Sequence, residues 1–172
     1  MTAATASPER AGGPHALPQS SCFVCGQDNP RGLRVRYEPA GTGGVTAEWT
    51  PDAVWEGFQG IIHGGVVSTV LDEAMSKAVV ATGSEALTAE LRVRFRRHVV
   101  AGGSYRIRGW ITRRSRRTFE TEACLLAPDG TEHAHAWATF LTVPVAGRGA
   151  GPAPPSTAPP SRLCPSWRIR PL

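Results

Sequence analysis

The stretch from His63 to Ala81 constrains this chain more than any other. Val67, Val70, Leu71, Ala74, Met75 and Ala78 recur at i, i+3, i+4, i+7, i+8 and i+11, one apolar face at the helical period. The spacing predicts a helix over 64–81, ended by Thr82-Gly83-Ser84. Two adjacent acids, Asp72 and Glu73, sit amid that apolar run. Asp72 falls off the stripe, on the side of Gly65, Ser68 and Ser76; Glu73 points further round, with Val66, Thr69 and Lys77.

The segments around this helix have period two. Leu33–Tyr37 and Val45–Trp49, joined across Gly41–Gly44, read as a hairpin. After the helix come four strand-like segments. In the first, Ala89, Leu91, Val93 and Phe95 form an apolar face opposite Glu90, Arg92, Arg94 and Arg96. Tyr105–Ile111, Phe119–Leu126 and His133–Val143 follow, with turns at Ala101–Ser104, Arg113–Arg117 and Pro128-Asp129-Gly130. Two strands, one long helix and four antiparallel strands make an α+β domain.

The ends of the chain differ in composition. Residues 1–20 are small, polar and rich in Pro and Gly, and 144–172 are rich in Pro, Ala, Gly and Arg. Both are expected to be disordered, leaving 21–143 as one ordered domain. The net charge of +5 suggests anionic partners at first sight. Yet residues 22–143 hold 14 basic and 13 acidic side chains, and the excess lies in Arg148, Arg162, Arg168 and Arg170. No nucleic-acid-binding motif accompanies the arginines, so no nucleic-acid partner is expected. No apolar run suits a membrane span, and Met1–Leu17 has no signal-peptide pattern. A cytoplasmic protein without membrane contact is expected. Cys22 and Cys25 form a Cys-x-x-Cys pair with no second pair nearby. A buried anchor loop is expected there, with no metal.

Chemistry concentrates at the helix. Gly64 and Gly65 stand at its N-terminus, where backbone N–H groups lack intrahelical partners and partial positive charge collects. Without side chains they can present an N–H to an oxygen that develops negative charge. Asp72 and Glu73 are candidate general bases or nucleophiles. His63 is a candidate acid or base, or the residue that fixes the loop by hydrogen bonds; the second role is expected.

His63-Gly64-Gly65 followed by Leu71-Asp72-Glu73 resembles the signature of hotdog-fold acyl-CoA thioesterases of the PaaI-like branch of the thioesterase superfamily. Cys22-Phe23-Val24-Cys25-Gly26-Gln27-Asp28-Asn29-Pro30-Arg31-Gly32-Leu33 resembles the opening of one subgroup of these proteins. The resemblance spans residues 22–143. It implies a hotdog fold, with the sheet wrapped round the helix, and hydrolysis of an acyl-CoA thioester without cofactor or metal. It implies that Gly64 or Gly65 polarises the carbonyl and that Asp72, nine residues after the His, acts rather than Glu73. Thr88 is placed near the attacking water. Trp55 and Phe58 are candidate linings of the acyl pocket. Many relatives carry an Asn six residues before the His; here that position is Gly57, and Gln59 is a possible substitute donor. Arg113, Arg114, Arg116 and Arg117 are candidates for the CoA phosphates.

Spacing adds a constraint. Gly64 and Asp72 are eight residues apart, about 12 Å along one helix. They cannot easily serve one carbonyl from one chain, whereas two antiparallel chains can. A homodimer with composite sites, or a dimer of dimers, is therefore expected. The alternatives are a non-catalytic acyl-CoA-binding hotdog protein and a degenerate enzyme kept as a dimerisation module. A hotdog hydratase or dehydratase would need His/Asp or His/Glu motifs in contexts this chain does not contain.

Overall fold

Helix α1 runs from Gly64 to Val80, with Ala81 as its C-cap, one residue short of the expected span. The computed structural model describes residues 21–41 and 43–143. The expected arm 1–20 and tail 144–172, with Cys164, lie outside the described residues. The apolar stripe is the buried face: Val67, Val70, Leu71, Ala74, Met75, Ala78 and Val79 are all buried. Burying side chains such as Leu71 and Met75 contributes about 1.5–3 kcal/mol each.

The strands are β1 (Glu38–Pro39), β2 (Gly44–Trp49), β3 (Glu56–Phe58), β4 (Ile61–Ile62), β5 (Ala86–Phe95), β6 (Tyr105–Arg114), β7 (Thr118–Leu126) and β8 (Glu132–Thr142). Six of them form one antiparallel sheet in the order β1-β2-β6-β7-β8-β5. β3 and β4 form a short separate ribbon that leads into the helix. The helix packs on β2, β5, β6, β7 and β8, so the sheet curls round it.

Small residues floor the groove. Ala123 of β7 and Ala134, Ala136 and Ala138 of β8 are buried on the helix side, between large side chains such as Ile107, Phe119, Leu125 and Phe140. The closest approach is at Gly109 of β6. A Cβ on Gly109 would lie 2.6 Å from the carbonyl carbon and oxygen of Ala74 and 2.9 Å from its Cβ. The backbone of the sheet therefore touches the helix here, and no larger residue fits.

The structure corrects two strand expectations. Leu33–Tyr37 does not pair with β2; only Glu38 and Pro39 do. Arg34 has φ +54, a left-handed conformation that interrupts an extended strand. The segment folds back on the cysteine loop instead, with Leu33 N–H donating to Phe23 C=O (2.8 Å) and Val35 N–H to Val24 C=O (2.9 Å). Tyr37 then fixes it to the helix through its hydroxyl, which donates to Val70 C=O at 2.7 Å.

The second correction is in β5, which carries a bulge at Ala89, between the Thr88–Phe140 and Glu90–Thr139 pairs. Thr88, Leu91, Val93 and Phe95 pair with Phe140, Ala138, Ala136 and Ala134, the helix-facing row of β8. The expected face held Ala89; the bulge drops it and brings in Thr88.

The Gly109 contact yields a test. Gly109→Ala should lower stability by about 1–3 kcal/mol or more, because helix backbone cannot yield as a side chain would. An unchanged urea midpoint would show that α1 does not sit at this depth.

Candidate active site

The β3–β4 ribbon delivers the chain to the helix start. His63 is the N-cap residue, and its Nδ1 accepts from Gly65 N–H at 2.9 Å. That bond requires an unprotonated Nδ1, so a neutral ring carries its hydrogen on Nε2. His63 N–H donates to Trp55 C=O at 2.9 Å. His63 thus holds the loop and caps the helix, as the sequence suggested. Its ring engages the Gly65 amide. The Gly64 amide, first in the helix, has no partner among the described residues.

Gly57 explains the missing Asn. A Cβ at Gly57 would lie 3.0 Å from Cδ2 of His63 and 3.2 Å from its Cα. The backbone at 57 packs flat on His63, where a larger residue would need the imidazole to shift. Gln59 lies exposed beyond the ribbon strand β3.

Asp72, eight residues after Gly64, accepts at Oδ1 from the hydroxyl of Thr88 of β5 at 2.9 Å. Asp72 is only partly exposed. Burial pushes its carboxyl above the ordinary value, the neighbouring Glu73 charge adds to the rise, and the Thr88 hydrogen bond opposes it.

Glu73 goes elsewhere. Its Oε1 lies 3.4 Å from Lys77 Nζ and 3.9 Å from Cys22 Sγ. Burial, with the Glu73 carboxylate nearby, pushes the Cys25 thiol up to about 12. So the two acids face different neighbours, Asp72 the end strand of the sheet and Glu73 the cysteine loop.

The other expected residues are spread out. Trp55 is partly buried against the core and meets Phe23 edge-on at 6.1 Å. Phe58 is 80% exposed. Arg113 and Arg114 belong to the end of β6 rather than to a turn. Arg113 Nη1 pairs with Glu120 Oε1 at 3.2 Å; Arg114 lies over the Phe119 ring at 5.0 Å and reaches Ser84 Oγ at 3.4 Å. Arg116 and Arg117 are exposed in the turn itself. Sequence reasoning did not place Phe95 at the site. Its ring covers Gly64, where a Cβ would sit 3.3 Å from the ring edge.

Residues 59–134 match the family model of the thioesterase superfamily. This segment is a thioesterase-superfamily domain. No curated protein sequence matches the chain. Among solved structures it is similar to a thioesterase superfamily protein, RHA08564, at 25% identity and TM-score 0.65; the match covers 68% of this chain and 61% of that one, less than two thirds of its length. It is also similar to a phenylacetic acid degradation-related protein from Ralstonia eutropha JMP134, at 25% identity and TM-score 0.58, covering 63% of this chain and 85% of that one. A hypothetical thioesterase protein with coenzyme A from Streptococcus pneumoniae TIGR4 shares 17% identity and TM-score 0.60, over 63% of this chain and 85% of that one. The fold is the hotdog of these proteins, one helix against a six-stranded antiparallel sheet. Among the described residues, no helix is long and apolar enough to cross a membrane.

The raised carboxyl of Asp72 has a consequence for stability. The native state holds that proton more tightly than the unfolded chain, so stability falls as pH rises from the ordinary carboxylate range through the native value. Asp72→Asn keeps an acceptor for Thr88 and removes the buried charge. It should be more stable than wild type at neutral pH, and the difference should shrink as acid protonates the wild-type carboxyl. Urea midpoints at a series of pH values check this; a gap independent of pH would contradict it.

Proposed function

We propose that this protein is an acyl-CoA thioesterase that works as a homodimer with composite sites. The observation that carries the reading is the placing of Thr88 and Phe95 on one terminal strand. Thr88 holds Asp72, Phe95 covers Gly64, and both project from β5 towards the helix. β5 ends the sheet and has ten residues, with Leu87, Leu91 and Phe95 exposed. A long apolar terminal strand favours a partner. Pairing β5 with a second copy about a two-fold axis at Arg92, with Ala89 bulged out of each strand, sets Thr88 opposite Phe95 of that copy. The Asp72 of one chain then faces the Gly64 of the other, the arrangement that the about 12 Å between them in one chain requires.

In such a site the thioester oxygen accepts a hydrogen bond from Gly64 N–H, at the positive end of the helix dipole, as the carbonyl carbon becomes tetrahedral. The Asp72 carboxylate either takes a proton from an attacking water or attacks the carbon itself. In the first route the carbon–sulfur bond breaks and the proton held by Asp72 passes to the departing CoA sulfur, giving free acid and thiol. In the second, the tetrahedral adduct expels CoA as a thiolate that takes a proton from solvent, and water then hydrolyses the mixed anhydride to the free acid and the regenerated Asp72 carboxylate. Thr88 orients the carboxylate through Oδ1. His63 keeps the loop in place. Trp55 and Phe58, with Gln59 beside them, are assigned to the acyl channel near the helix start. Arg116 and Arg117 are assigned to the CoA phosphates, with Arg113 and Arg114 in support, since the latter two already have protein partners. The bound coenzyme A of the Streptococcus pneumoniae protein supports this substrate class.

Release of free thiol from short, medium, long and aromatic acyl-CoAs tests the reading. Wild type should hydrolyse part of the panel. Asp72→Asn should lower kcat by about 10²–10⁴-fold while the protein stays folded. Full activity in Asp72→Asn with loss in Glu73→Gln would exchange the roles of the acids. Binding of acyl-CoA by a folded dimer with no hydrolysis across the panel would favour the non-catalytic binding protein.

A further inference from the structure

We propose that Cys22, Cys25 and Glu73 form a binding site for one divalent cation of the zinc type, in place of the metal-free anchor loop expected from the sequence, because Glu73 supplies a third donor that the spacing of the cysteines did not show. Two thiols and a carboxylate converge there from segments about fifty residues apart. One donor atom from each lies within 4.8 Å of the others. Tetrahedral zinc at ordinary bond lengths separates a sulfur from an oxygen ligand by about 3.5–3.7 Å. The Cys22 Sγ to Glu73 Oε1 distance is 3.9 Å. A contraction of a few tenths of an ångström would therefore suit a bound ion.

The frame around the three donors is built. Gly26 N–H donates to Cys22 C=O at 3.0 Å and closes the turn over the cysteine pair. Val24, between the cysteines, is buried in the main core. Glu73 is fixed by the central helix, and all three ligand residues are partly buried. The formal charges also close. Two thiolates and one carboxylate bring three negative charges. A divalent cation supplies two positive charges, and the Lys77 ammonium, 3.4 Å from Glu73 Oε1, supplies the third. Soft thiolates select zinc-like ions over magnesium or calcium. Three protein ligands leave the fourth position to a water or an outside ligand. Asp72 takes no part, because its carboxylate is turned to Thr88.

Titration of the full chain with Co²⁺ tests the site, in a phosphine reductant that keeps the pair as dithiol. The expected result is one Co²⁺ per chain, with near-ultraviolet thiolate-to-cobalt charge-transfer bands that Zn²⁺ abolishes by displacement. Cys22→Ser and Cys25→Ser should each reduce or remove these bands. Glu73→Gln, which leaves the cysteine loop intact, should weaken binding about tenfold or more. Circular dichroism of each variant separates loss of a ligand from loss of the fold. Two results would overturn the proposal: a reduced wild-type protein that binds no stoichiometric Co²⁺ or Zn²⁺, or bands of unchanged intensity when both Cys22 and Cys25 are serine.

Discussion

Ala74 rests on the backbone of Gly109, and that contact sets how deeply and at what rotation α1 lies in the sheet. The rotation then decides where the neighbouring side chains go. Successive helical residues turn by about 100°. With Ala74 fixed against β6, Glu73 swings to the cysteine loop and Asp72 to the terminal strand β5. Three consecutive residues thus face three parts of the molecule, and each meets a partner suited to it. Aligning the helix for packing aligns the acids at the same time.

The site opposes stability at one point and draws on it at another. Asp72 is held in a partly buried position that favours its neutral form, and Thr88 offsets only part of that cost. At the other end, His63 caps the helix and engages the Gly65 amide, leaving the Gly64 amide at the head of the helix. The sheet supplies both settings through β5. The bulge at Ala89 is what turns Thr88 towards the helix; an unbroken alternation would turn it the other way.

Much of this was legible in the chain. The apolar stripe marked the helix to within a residue, because periodicity is a local property that packing reinforced. The resemblance put Thr88 near the attacking water, and in the structure its hydroxyl donates to Asp72. What the sequence hid was non-local or conformational. The left-handed Arg34 ended a strand that alternation alone supported. The bulge moved Ala89 off the face its parity assigned. The Cys22–Glu73 contact joins residues 51 apart, which spacing rules cannot see. The need for glycine at 57 came from the approach of His63, a contact across the β3–β4 ribbon.

The composite site is tested most directly by mixing two variants that are each inactive. Asp72→Asn removes the acid. Gly64→Pro removes the one N–H proposed to hold the oxyanion, at a first helical position whose backbone suits proline, with the Phe95 ring yielding by a few tenths of an ångström to the added Cβ. If the glycine of one chain serves the aspartate of the other, a mixed dimer contains one doubly altered site and one intact site. Co-refolding equal amounts should then restore about a quarter of wild-type activity, since about half of randomly paired dimers are mixed and each has one working site of two. A mixture as inactive as its parents, although mixed dimers have formed, would contradict the account and place glycine and aspartate in the same chain's site.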